Sequence, residues 1–166
     1  MSTSISRIND TSDRRPSMAT TVGLGILAGL AGAVVMTAFQ ELIEKPLTGR
    51  GDSFAPADFA EKVSGVHPTT ERGRKRLNWA THFALGGMWG SAHGVAAYAG
   101  LRGPQAIAVV FATFYTGDVL LNTELGLYEP AKWSGRDWAI DLTDKFVQAA
   151  ATGVIFDQLL DPMRQI

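Results

Sequence analysis

No cysteine occurs in the 166-residue chain, so it can form neither disulfides nor thiolate metal sites. An excess of one charge is missing too. Fifteen Lys and Arg stand against sixteen Asp and Glu, and a net charge of −1 supplies no electrostatic footprint for a nucleic-acid partner. The motifs of HExxH metalloproteases, P-loop enzymes and GxSxG hydrolases are all absent, as is the Glu-x-x-His of di-iron bundles. Gly23-x-Gly25 follows no strand pattern and reads as a packing pair rather than a dinucleotide fingerprint. No solenoid-type repeat is visible. These absences leave no cofactor to expect and no motif that argues for an enzyme. Carboxylates and histidines are present and suit hard cations or zinc, but their spacing names no metal.

Charge is also scarce within four apolar runs, residues 21–40, 78–99, 104–122 and 138–160, each about long enough to cross a bilayer. A mean hydropathy of only +0.06 conceals them, because polar segments dilute the average. Residues 1–20 hold almost no large apolar side chain and are expected to form a disordered tail. A signal peptide ending at Ala31-Gly32-Ala33 is the competing reading, although the apolar run continues past it. Gly25 and Gly29 form a GxxxG pair in the first run, and Gly86, Gly90 and Gly94 extend the pattern in the second. Such glycines cost stability in a water-soluble helix but make packing seams in a membrane.

The connections are equally patterned. Gly100 and Pro104 predict a tight antiparallel hairpin between the second and third runs. Ser134-Gly135-Arg136-Asp137 is a capping pattern that starts the fourth near Arg136. The long basic connection, residues 45–77, predicts a short helix at 56–63 with Phe59 and Val63 on one face, suited to a membrane interface. Its Arg50-Gly51-Asp52 tripeptide is an adhesion motif by letter and a polar turn by context.

Lys45, Arg50, Lys62, Arg72, Arg74, Lys75, Arg76, Lys132 and Arg136 fall on one side of the implied topology, with Trp79, Trp133 and Trp138. Arg7, Arg14, Arg15, Arg102 and Arg164 fall on the other. The positive-inside rule then places the long connection in the cytoplasm and both termini outside it.

Ionisable residues inside such runs need a reason, since each costs about 2.5–3.5 kcal/mol at a helix centre on insertion scales. Connectivity gathers them at one depth, on the side of the basic loops. Asp118, Asp141, Asp144, Lys145, His82, Glu41 and Gln148 form the expected intramembrane polar cluster. Asp141 and Lys145 are four apart and can pair, whereas Asp118 needs Lys145, His82, water or a cation. Glu44, Glu124 and Asp137 are read as interfacial, and His93 and Asp157 as deeper or toward the far side.

The Gly-rich first run ending in Gln40-Glu41-Leu42-Ile43-Glu44-Lys45-Pro46, the Gly-rich second run with Trp and His, and Thr116-Gly117-Asp118 in the third carry one resemblance. Over about residues 22–160 the chain resembles small bacterial inner-membrane proteins of the YagU-like type. That resemblance implies a multi-pass inner-membrane location and no established chemistry.

The sequence thus predicts an all-α bundle of four transmembrane helices with a disordered tail and an interfacial helix. Two roles fit. One is binding or conducting a proton, cation or small polar solute through an acid/His-lined pocket; the other is a non-catalytic structural or accessory role in which paired charges fix helix packing. The expected partners are the lipid bilayer and a second copy or another membrane protein, with no nucleic acid. A soluble helical domain with buried polar pairs is the competing fold.

Overall fold

The computed structural model describes residues 16–162, and every regular element among them is helical. Helix α1 spans Met18–Thr48 and α2 Ala55–Ser64, followed by α3 over Glu71–Tyr98 and α4 over Gly103–Glu124. Helix α5 covers Gly135–Ile155 and runs on through a π turn, Phe156–Leu160. The expected tail lies mostly outside the described residues. Its last three residues, Met18 to Thr20, already belong to α1, because Ser17 accepts the Thr20 amide and starts the helix.

Local sequence explains most boundaries. Ala99, Gly100 and Leu101 end α3 in a Schellman motif: Leu101 N–H bonds the Ala96 carbonyl and Gly100 N–H that of Ala97. Gly100 adopts φ +94°, which only glycine takes without strain. Ser134 and Asp137 close the expected capping box at the start of α5. Helix α1 does not stop at Gln40. It passes through a π segment, Gln40–Glu44, and one more turn, ending at Gly49. Helix α3 begins seven residues before its apolar run, with Thr70 capping Gly73 N–H.

The four long helices alternate in direction around a ring, α1–α3–α4–α5. The glycines of α1 pack on those of α3. A Cβ added at Gly29 would lie 2.2 Å from the Gly86 carbonyl oxygen, and one at Gly90 would lie 2.1 Å from that of Gly25. A Cβ added at Gly94 would lie 2.7 Å from the Thr21 carbonyl oxygen. Both seams are therefore spent within one chain. The glycines expected to pack helices bring together backbones of this same chain. Gly32 brings α1 just as close to Thr152 of α5.

The predicted hairpin of α3 and α4 forms, and halfway along α4 Trp89 packs on Phe114 at 5.6 Å. At the turn Arg102 bonds Asp161 at 2.5 Å, and Gly103 N–H bonds Asp157 at 2.7 Å. Toward the basic loops α3 and α4 part. Helix α2 is held on the start of α3 by Arg74, which pairs with Asp58 and Glu61, and by Asn78, which accepts Ala57 N–H.

Two helices, α1 and α4, are long and apolar enough to cross a membrane. Helices α3 and α5 have the length, but glycine and histidine in one and carboxylates in the other lower their apolar character. The apolar windows of α1 and α4 are mostly unburied within the bundle, with only 33% and 17% of their residues buried. Leu27, Val34, Val109, Leu120, Phe146 and Val154 all stand exposed. The interior, by contrast, holds His93, Asn122, Asp144, Gln148 and Thr152.

Candidate functional site

Between the separating helices lies a cavity of about 920 Å³. All seven residues of the expected polar cluster line it: Asp118, Asp141, Asp144, Lys145, His82, Glu41 and Gln148. The alternating directions of α1, α3, α4 and α5 bring their polar ends to this one level, beside the basic loops. The loop after α1 closes over it from Arg50 to Pro56.

Lys145 is the centre of the charged network. Its Nζ lies 2.6 Å from Asp118 Oδ2 on α4 and 3.3 Å from Asp141 Oδ1 one turn back on α5. The same ammonium stands 5.7 Å from the Tyr115 ring and 5.6 Å from the Tyr128 ring. Asn122, one turn beyond Asp118, donates to Asp118 Oδ1 at 3.1 Å. Asp118 is therefore satisfied by Lys145 and Asn122. The expected Asp141–Lys145 pair exists, though the cross-helix contact is the shorter.

Asp144 follows a different pattern. Gln40 on α1 donates to its Oδ2 at 2.8 Å. Its Oδ1 is buried and has no hydrogen-bond partner among the described residues. Asp144 is 8% exposed. Leaving a carboxylate oxygen buried and unpaired is costly, so this atom marks where water or a bound group belongs. Asp141, by contrast, has the Tyr115 hydroxyl beside it as well as Lys145.

The remaining residues sort by position. His82 bonds Thr37 at 3.1 Å, not a carboxylate. Glu41 lies exposed at the mouth, paired with Lys45. Lys45 also bonds Asp52 at 2.6 Å, and this ammonium holds the Asp52 carboxyl below the usual carboxylate range. Glu44 departs from its interfacial reading: it is buried, bonded to Thr48 at 2.9 Å and 3.9 Å from Arg50. The π segment widens the turn so that both Gln40 and Glu44 line the cavity. Glu124 and Asp137 are exposed as expected. His93 lies away from the cavity, buried beside Gly153, with its Nε2 unpaired.

Sequence reasoning left out Gln40, Glu44 and the loop residues as a closing layer. The π segment gives no local signal, and the loop packs through long-range contacts. The lining carries seven carboxylates against four basic side chains, so its formal charge favours cations. Among the described residues, no three His, Asp or Glu stand close enough together to hold a metal ion. No family model, curated protein or solved structure matches the chain.

Proposed function

We propose that the protein is an integral membrane bundle whose acid-lined cavity binds a cation or a small positively charged solute. In this reading α1, α3, α4 and α5 all cross the membrane, α2 lies at the interface, and the cavity opens to the cytoplasm. The observation that carries it is Asp144: a buried carboxylate with one oxygen unpaired, lining a large cavity with surplus negative charge. Apolar side chains facing outward around a polar interior support the membrane placement, because a soluble bundle buries its large apolar residues instead. A multi-pass inner-membrane location, the pattern-level likeness to YagU-like proteins and association with a second copy or another membrane protein belong to the same proposal.

The test is reconstitution. Purified protein in liposomes is expected to bind or pass methylammonium, and Asp144→Asn to abolish it while keeping the folded yield. A wild type without such binding or flux sinks the proposal. Release of the protein from membranes by carbonate, without detergent, would sink the membrane part alone.

A second reading is favoured by Lys145. Its pairing with both Asp118 and Asp141 also supports an accessory role in which charges fix the register of α4 against α5. Under that reading Asp118→Ala lowers the melting temperature, and wild-type flux is zero.

A further inference from the structure

Gly117 has no packing reason to be a glycine. It lies inside α4, where glycine is a poor helix former, yet a Cβ built on it meets nothing within 4 Å. The seam glycines of α1 and α3 differ, since each touches another backbone. Gly117 is exposed and also lines the cavity. Across from it on α3, Met88 lines the same cavity and is 48% exposed; one turn further along α4, Leu121 does so at 49%. Exposed lining residues on both helices, Met88 on α3 and Gly117 and Leu121 on α4, mark an opening of the cavity between α3 and α4. Leu85, Trp89 and Phe114 add apolar lining from the same two helices, while Asp144 is contributed by α5.

We infer that the occupant is an amphipathic organic cation, with its ammonium group against Asp144 and its apolar chain lying along the opening at Gly117. This rests on the reading of the cavity as a cation site and names the class of cation. A volume of about 920 Å³ fits an organic ligand and far exceeds a bare ion. The carboxylates are not grouped tightly enough to coordinate a metal ion. Aromatic rings in the lining, Trp89 and Phe114 among them, suit the apolar chain of such a cation. The unpaired Asp144 oxygen supplies the acceptor that such an ammonium requires. The ammonium could come from a free amphiphile or from an aminophospholipid headgroup, since the open side faces lipid in the proposed placement.

The experiment follows tryptophan fluorescence of the full chain in detergent against methylammonium, butylammonium, octylammonium and octanol. Affinity is expected to rise roughly three- to fourfold per methylene between the butyl and octyl compounds. Octylammonium should bind about tenfold or more tightly than octanol, and Asp144→Asn should erase that preference while keeping the chain-length dependence. Gly117→Leu fills the open side without meeting another atom at its Cβ, and should weaken octylammonium about tenfold while sparing methylammonium. Equal affinity along the alkyl series, or a Gly117→Leu protein that binds octylammonium as before, overturns the inference and leaves the cation site standing. Absence of any ammonium preference over octanol in the wild type removes the cation site itself. Octylammonium binding that weakens in phosphatidylethanolamine nanodiscs relative to phosphatidylglycerol ones assigns the site to a lipid amine. Equal binding in the two, with the chain-length dependence kept, assigns it to a free amphiphile.

Discussion

Lys145 of α5 and Asp118 of α4 stand 2.6 Å apart, 27 positions from each other in sequence and on two different helices. The pair is the bolt between α4 and the rest of the bundle at the level of the cavity. Both side chains keep about a fifth of their surface exposed, so their coupling lies between that of a surface pair and that of a fully buried one.

Removing one partner should therefore cost more than removing both. Lys145→Met is expected to destabilise by about 2 kcal/mol, because two carboxylates then face each other unneutralised. Adding Asp118→Asn should return much of that loss. Thermal unfolding in detergent of the two single variants and the double variant checks it; a double variant as unstable as the sum of the singles refutes the coupling.

The glycines of α1 and α3 should divide sharply from Gly117. Gly90→Ala forces a methyl onto the Gly25 carbonyl and is expected to cost about 1–3 kcal/mol. Gly117→Ala meets nothing and should leave the melting temperature unchanged or higher. Equal losses in the two variants would contradict the seam.

The start of α5 should soften in acid. The Ser134 hydroxyl and amide, both bonded to Asp137, hold that carboxyl below its ordinary value of 3.8. A depressed folded-state pKa contributes stability above the unfolded value, and it is lost as pH falls through the lower folded value. Ser134→Ala should cost about 1 kcal/mol at neutral pH. Unfolding curves of wild type and Asp137→Asn should converge as pH drops below 3.8, and a constant difference down to that range would count against the cap.

Tyr128, in the turn between α4 and α5, should titrate late. Burial pushes its phenol above the ordinary 10.0, opposed by the nearby Lys145 ammonium. Its contribution to stability is present below pH 10 and lost as pH rises through the higher folded value. In a background with Tyr98 and Tyr115 changed to Phe, phenolate absorbance should appear above pH 10, and later still in Lys145→Met. A midpoint that falls on removal of Lys145 would show the ammonium is not the opposing charge.

What was legible in the sequence was mostly local chemistry or a repeated period. The Gly100–Pro104 turn, the Ser134 cap and the short helix before Gly65 each carry their signal within a few residues, and the structure keeps them. The gathering of Asp118, Asp141, Asp144, Lys145 and His82 followed from counting alternating helices. Three other features were not legible. Apolar character marks only part of a helix, so the charged start of α3 and the end of α1 were cut short. Pairing across helices is not local, so the bond of His82 to Thr37 and the burial of Glu44 needed coordinates. GxxxG states that a helix can be approached closely, not by whom, and here the partner is the same chain.

Helix α4 is fastened at its start, where Arg102 pairs with Asp161 and Asp157 accepts Gly103 N–H. Further along it Phe111 packs on Phe146, and Asp118 pairs with Lys145 of α5. Helix α4, 22 residues and hence about 33 Å long, is thus a lever with its fulcrum at Gly103. A tilt of roughly 5° there moves its far end by about 3 Å, given that length. Asp118 lies 15 residues from Gly103, hence about 22 Å along α4, so the same tilt moves it by about 2 Å. That shift is comparable to the length of its contact with Lys145, and a small rotation at one face of the molecule is felt at a charge pair near the other.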